Sequence, residues 1–339
     1  MIDSVEKLEE MLSRPGSDLV KDIANIQGDI LILGVGGKMG PSLAKLAMRA
    51  IKEAGLNKRV IGVSRFSEQG LKEELEGEGI ETIAIDLLND QELQSLPDVE
   101  NVIYMAGKKF GTTGQEHFTW GMNTYLPGRV GEKFKKSNIV VFSSGNIYPF
   151  VSHGSSGATE DTAPDPRGEY AQSCLGRERI FEYFSHKYKI PMLIYRLNYA
   201  VDLRYGNLLE IAQMVQEERE IDLSIGHMNV IWQGDANEIA IRALLHCQSP
   251  PKILNVTGPE TISIRWAAEE LGKLLGKTPR FKNQEEPDAL LNNASHSHQL
   301  FGYPKVSLRE MFALTADWVK AGGATLNKPT HFQERTGKF

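Results

Sequence analysis

In the stretch GVGGKMG, three glycines at 34, 37 and 40 directly follow the apolar run DILIL and directly precede a helical pattern opened by Pro41. Glycine at such a junction permits a tight turn and lets backbone N–H groups approach a pyrophosphate, while the helix start adds partial positive charge. The spacing predicts a bound dinucleotide, with Lys38 and Met39 inside the turn. A purely structural glycine turn is the alternative. The next apolar run ends in Ser64 and Arg65, where an NAD-preferring site would place an acid on the ribose 2′-hydroxyl. A guanidinium suits a 2′-phosphate, so NADP(H) is expected, with NAD possible; a solvated surface Arg65 is the competing reading. Asp86, followed by Leu87, ends a third run and could reach the adenine edge or cap a helix. Met105, Ala106 and Gly107 end a fourth, where small residues let a cofactor lie close.

Other chemistry-bearing residues are sparse. Cys174 and Cys247 are the only cysteines, too few for a disulfide framework and without metal or redox spacing. His296 and His298 alternate as metal ligands can, but no third ligand accompanies them, so no metal is expected. Arg196, Asn198, Tyr199, Arg204 and Tyr205 cluster at a strand end, which makes them substrate candidates or packing between lobes. Lys108 and Lys109 either meet an anionic substrate or solvate a loop.

These residues need a scaffold, and the chain supplies one. Between 29 and 147, short apolar runs (DILILG, RVIGVS, ETIAID, NVIYMAG, NIVVFSS) alternate with helical patterns, as a parallel sheet covered on both faces requires. Pro41 suits a first helical turn and Gly55 a helix stop. Residues 151–169, rich in Gly, Ser, Pro and acids, read as loop. A helix over 170–187 and the strand PMLIYRL follow, then the helical stretches LLEIAQMVQEE, IRWAAEELGKLLG and LREMFALTADWVKAG, with short strands within 222–232 and at 253–256. The expected fold is α/β, a Rossmann-type doubly wound parallel sheet with a smaller, interleaved C-terminal substrate lobe. Residues 1–28 form a helical extension, 29–202 the dinucleotide domain, to which 228–258 return, and 203–227 with 259–339 the substrate lobe.

With 339 residues, 41% hydrophobic and 24% charged, the chain is an ordinary globular protein. Its net charge of −6 and the lack of a basic stripe argue against nucleic acid. Neither a membrane-spanning run nor a targeting segment is evident, so the cytoplasm is the expected location and a small molecule the expected partner.

Taken together, the motifs resemble the extended short-chain dehydrogenase/reductase superfamily, the NAD-dependent epimerase/dehydratase family, from about residue 28 to 318. Asn123 in WGMNTY matches that family's helix-borne Asn. FSSGNIYPF resembles its Ser-Ser-x-x-x-Tyr-Gly segment and puts Ser144 on the catalytic Ser/Thr. The stretch ATEDTAPDPRGEYAQSCLGRE puts Tyr170 on the catalytic tyrosine and Glu178 on a common helix acid. IWQGDANEIA is similar to its Val-x-Asp-Val-Ala segment. The resemblance implies an NAD(P)-dependent oxidoreductase or epimerase/dehydratase, with Tyr170 as general acid/base and Ser144 orienting the substrate oxygen. Asn123, Tyr170 and Leu197 join the expected cofactor residues, and Asn146, Asn198, Tyr199 and Arg204 join Ser144 on the substrate side. Such proteins commonly pair through two helices, and RERIFEYFSHKY has apolar residues on more than one face, so a homodimer is expected.

One position departs from the family pattern. The family's lysine, four residues after the tyrosine, lowers a phenol pKa of about 10; this chain has Cys174 there. Three readings follow: another cation or the oxidised nicotinamide itself tunes Tyr170, with Arg177, seven residues on along the same helical stripe, as candidate cation or solvated surface residue; the fold binds NADP(H) as a catalytically impaired sensor or regulator; or Cys174 is a nucleophile. The family's diphosphate-gripping residues are also displaced, with Asn198 one place off register and Asn229 where an Arg is expected. A free sugar, sugar acid or other small polyol-like carbonyl compound therefore fits better than a nucleotide-diphosphate sugar.

Overall fold

The computed structural model describes residues 2–109, 114–328 and 330–337. Its centre is a seven-stranded, all-parallel sheet. The strands are β1 (Ile30–Leu33), β2 (Val60–Ser64), β3 (Glu81–Ala84), β4 (Asn101–Tyr104), β5 (Asn138–Ser144), β6 (Met192–Leu197) and β7 (Lys252–Val256). Their spatial order is β7-β6-β5-β4-β1-β2-β3. The order reverses between β1 and β4, which opens a crevice at the carboxyl ends of the strands.

The apolar runs form strands because both sheet faces are covered. In β1, Ile30 and Ile32 join one buried cluster while Leu31 and Leu33 join the other, so every position is inside. The first cluster is capped by the helices α1 (Val5–Leu12), α2 (Ser17–Asn25) and α3 (Gly40–Glu53) only in part: Leu19 and Ile23 of α2 pack there, whereas Leu8 and Leu12 of α1 pack in the second lobe. The N-terminal helices thus tie the two lobes together. Pro41 sits in the first turn of α3, and Gly55 follows its end at φ +66°.

After β2, α4 (Leu71–Gly77) packs Leu71 and Leu75 into the same first cluster, whereas α5 (Asp90–Ser95), after β3, packs Leu93 into the cluster on the other face. Next comes α6, which runs Glu116–Trp120 and continues through a π turn, Gly121–Tyr125, into Leu126–Lys133. It packs on the long α7 (Gly168–Tyr188). The segment 151–169 is mostly loop as expected, with two differences: Val151–Ser152 pairs antiparallel with Asp288–Ala289, and α7 begins at Gly168. Those pairings stitch the loop to the second lobe, which propensity within the loop could not foretell. The second lobe packs α8 (Asn207–Gln216), α10 (Ile264–Leu275) and α12 (Leu308–Lys320) into one cluster that also takes Phe332, while α9 (Gln233–Arg242) and α11 (Ser295–Phe301) lie against the sheet side. No helix among the described residues is long and apolar enough to cross a membrane.

Candidate functional site

The glycine turn stands where the backbone must pass close to its neighbours. Gly34 has φ +91°, and a Cβ there would lie 2.7 Å from the Ala106 backbone nitrogen. At Gly40 a Cβ would lie 2.2 Å from the Val35 carbonyl oxygen. Side chains are excluded on both counts. The start of α3 has no side-chain cap; the Gly40 amide donates to the Gly37 carbonyl at 3.3 Å and Pro41 has no N–H, so the Ser42 amide is the donor left beside the turn.

From this turn a cleft of about 1140 Å³ extends over β2 and β3. Gly34, Gly37, Ser64, Arg65, Asp86, Leu87, Met105, Ala106 and Gly107 all line it, so the structure brings these expected cofactor residues together. Arg65 is exposed and has no ion-pair partner among the described residues. Asp86 accepts the Leu88 amide at 3.0 Å and does not cap α5, whose N-cap is Asn89. Phe66, Glu68, Phe118 and Met122 also line the cleft. Phe66 and Glu68 follow an expected strand end and were legible by position; Phe118 and Met122 reach in from α6 and had no local signal.

On the other side of the turn a cleft of about 1320 Å³ is lined by Gly37, Lys38, Met39, Gly40, Ser144, Asn146, Tyr170, Leu197, Asn198 and Tyr199. Lys109, Tyr205, Lys328 and Thr330 complete the wall. Lys328 and Thr330 lie far along the chain from the motifs, and nothing in their sequence context marks them. Ser144 ends β5 and its Oγ accepts the Asn146 amide at 3.1 Å, a local bond that fixes its side chain. Tyr170 lies on the first turns of α7. Its phenol lies near the Ser144 and Cys174 side chains, both of which act on its pKa.

Electrostatics at the phenol are opposed. Burial pushes the Tyr170 pKa well above the usual tyrosine range, the Cys174 thiol adds to the rise, and the Arg177 guanidinium and Ser144 act the other way. Cys174 is fully buried and burial raises its own pKa, so it stays a protonated thiol at neutral pH, which disfavours its reading as a nucleophile. Arg177 is not a solvated surface residue. Only 6% exposed, it donates to the Phe142 carbonyl and to Asn123 Oδ1, each at 2.8 Å. Lys109 approaches from the loop after β4, its Nζ 5.9 Å from the centre of the Tyr170 ring. Burial pulls the Lys109 pKa down to about 8.

Asn123 sits in the π turn and closes a small network. It accepts the Lys108 amide at 2.8 Å and donates to the Lys108 carbonyl and Ser173 Oγ, both at 2.9 Å. Asn123 therefore fixes the loop carrying Lys109 and the helix carrying Tyr170. A Cβ at Gly107 would lie 2.5 Å from the Arg177 guanidinium, so a side chain there would displace Arg177.

Arg196 and Arg204 lie outside the reach of a ligand in this cleft. Arg196 is buried and pairs bidentately with Glu178, at 3.0 and 2.7 Å, because both side chains are inside and each needs a counter-charge. Arg204 pairs with Glu9 of α1 at 2.6 Å and with Asp202 at 3.4 Å, and lines a neighbouring hollow instead. Asn229 donates to the Glu260 carbonyl and accepts the Asn292 amide, so its amide is committed. His296 lies 3.4 Å from Glu160, and His298 contacts the Thr257 carbonyl at 3.2 Å.

Beyond Asn146 and Tyr199 the outer end of the cleft is walled by the chain's own C-terminal segment. Phe332 is buried in the second lobe, the Thr330 amide donates to Glu210, and Arg335 pairs with Asp288.

The sequence profile described as "NAD dependent epimerase/dehydratase family" matches residues 30–201. No curated protein matches the sequence significantly. Among solved structures, UDP-glucuronic acid 4-epimerase from Bacillus cereus, in complex with UDP-glucuronic acid and NAD, aligns with 20% identity and a TM-score of 0.70, covering 86% of this chain and 99% of that one. UDP-glucose 4-epimerase from Thermus thermophilus, in complex with NAD, aligns with 19% identity, a TM-score of 0.70 and the same coverage. The Thermotoga maritima UDP-glucose 4-epimerase, with UDP-glucose, gives 17% identity, a TM-score of 0.67 and 87% and 99% coverage.

Proposed function

Because this chain belongs to the NAD dependent epimerase/dehydratase family, we propose that it is an NADP(H)-using oxidoreductase or epimerase/dehydratase acting on a small hydroxyl or carbonyl compound of sugar type. The observation that carries the reading is that Ser144 and Tyr170 line the same cleft as the glycine turn. The uncapped start of α3 and the glycine turn fit a pyrophosphate, and Arg65 favours a 2′-phosphate. When bound, a nicotinamide supplies the hydride acceptor and donor.

The chain's own residues handle the proton. Ser144 Oγ holds the substrate oxygen, and the Tyr170 phenol oxygen takes or returns that oxygen's proton. Arg177, fixed by Phe142 and Asn123, provides the permanent charge that offsets part of the burial and thiol effects. A compact substrate suits the outer wall formed by residues 330–337, and Asn229 and Arg204, the positions the family pattern would turn toward a diphosphate, are committed to other partners.

Tyr170→Phe is expected to lower turnover by about 10²–10⁴-fold while NADPH binding, read by its fluorescence, is unchanged and tighter than NADH binding. Retained turnover in Tyr170→Phe would sink the acid/base assignment. A second reading, an NADP(H)-binding sensor without hydride chemistry, draws on the raised phenol pKa. It predicts that cofactor binds yet no sugar or alcohol changes nicotinamide absorbance.

A further inference from the structure

Residues 330–337 run past the outer end of the Ser144–Tyr170 cleft as neither helix nor strand. Between them and the body of the protein lies a hollow of about 460 Å³, lined on the body side by Asn146, Phe150, Tyr199, Ile225 and Leu290. Asn146 and Tyr199 also line the cleft, so the hollow continues it outward, and Thr330 at the root of the segment belongs to the cleft wall. The chain thus lays its own backbone where the distal part of a long ligand would have to pass.

Side chains do most of the holding. Phe332, the one apolar residue in the polar run THFQERTG, is 2% exposed and sinks into the second-lobe cluster. Arg335 donates to the Ser224 and Asp288 carbonyls at 3.0 and 3.2 Å, pairs with the Asp288 carboxylate, and stands 4.5 Å from the centre of the Phe150 ring. The Thr330 amide and hydroxyl both donate to Glu210 of α8, at 3.1 and 2.5 Å. At the far end Gly337 meets Gly168, the first residue of α7. A Cβ on Gly168 would lie 2.2 Å from the Gly337 carbonyl oxygen, and one on Gly337 would lie 2.4 Å from the Arg167 carbonyl oxygen. The segment therefore bridges the second lobe and the helix that carries Tyr170. Irregular backbone held by one aromatic anchor and one part-exposed ion pair opens locally at a lower free energy than the sheet core.

We propose that residues 330–337 are a releasable strap that sets the size of the molecule the Ser144–Tyr170 cleft admits. Docked, the strap closes the outer end and confines the cleft to compact molecules. Released, it opens the hollow lined by Phe150, Ile225 and Leu290 to the distal part of longer ones. Phe332 and Arg335 are the specificity-determining residues, because they decide whether the strap is down. The use of this filter on a substrate rests on the reading of the cleft as the substrate site, whereas the closure itself is a property of the chain.

The test reads access to the cleft directly. In the full chain, Asn146→Cys places a thiol where cleft and hollow meet, and Cys174→Ser with Cys247→Ser leaves it as the only one. Its alkylation is timed with iodoacetamide and with bulky iodoacetamidofluorescein, each relative to free cysteine. With the strap intact, the bulky reagent should lag the small one by at least about tenfold, and Phe332→Ala with Arg335→Ala should bring the two within about threefold. Arg335→Gln alone, which keeps the aromatic anchor, should fall between. NADPH affinity should be unchanged in all of these, since none of residues 330–337 lines the cleft over β2 and β3, and this separates release of the strap from unfolding. Hydrogen exchange on the unsubstituted chain gives a second readout: the Thr330 amide should exchange by local opening, at low denaturant, while β1 and β4 stay protected. Equal size discrimination with and without the anchors, or exchange of Thr330 only with global unfolding, would overturn the proposal. Retained turnover in Tyr170→Phe would remove the acid/base reading and leave the labelling result standing.

Discussion

At position 174 a thiol stands four residues after the tyrosine, on the same face of α7, and the cations nearest the phenol come from elsewhere. Arg177 reaches it from one turn further along the helix, and Lys109 from the loop after β4. Only Arg177 keeps its charge at every accessible pH, because guanidinium does not titrate there. Arg177→Met should therefore lower turnover by at least about tenfold, by leaving the phenol harder to ionise. Cys174→Ser should leave it within a fewfold of wild type, since the buried thiol is protonated. Steady-state rates on the full chain test both; unchanged turnover in Arg177→Met would remove the substitute-cation idea.

At the scale of elements, the reacting pair depends on how α7 sits on β5 and β6. The Glu178–Arg196 pair clamps them, with Ser143 donating to Glu178 from β5 and Arg196 donating to Tyr148. Both charges are buried, so removing one leaves the other unpaired, at about 3–5 kcal/mol. Glu178→Ala should lower the melting temperature by several degrees, and it should weaken catalysis through misplacement of Ser144 and Tyr170, whereas Glu178→Gln should lose less because it keeps a hydrogen-bond acceptor. A melting temperature equal to wild type in Glu178→Ala would show that the clamp is not structural.

Much of this scale was legible beforehand. The glycine turn, Pro41, Gly55 and the apolar runs set the dinucleotide half, because those signals are local: a φ that only glycine takes, a fixed proline φ, and strands buried on both faces. Ser144, Asn146, Tyr170, Asn198 and Tyr199 also meet in one cleft. What sequence could not give was partnership over long separations. Arg204 has an arginine's appearance at a strand end, but its partner Glu9 lies in α1. Arg177 has the look of a surface helix residue until Phe142 and Asn123 come to meet it.

At the scale of the whole molecule, apolar side chains left in water point to self-association. Tyr125 and Tyr183 are 55% and 56% exposed, and they lie on α6 and α7, which pack side by side. Exposed aromatic surface on neighbouring helices suits an isologous pair, in which the same patch meets itself. A homodimer joined through these two helices is the expected assembly, and Tyr183→Glu should split it into monomers by solution scattering. A monomeric mass for the wild type would refute the pairing.

The two halves of the crevice differ in how much of the chain each must gather. The side toward β2 and β3 is lined by residues 34 to 122, a single stretch, whereas the side toward Ser144 draws on residues from 34 to 330. Closing long loops is what makes non-local contacts late to form and early to open. Dinucleotide recognition should thus behave as an autonomous cooperative unit that outlasts its neighbour. In rising urea, hydrogen exchange should deprotect the amides of α8 and the 324–328 segment before those of β1 and β4, with NADPH affinity persisting after the former have opened.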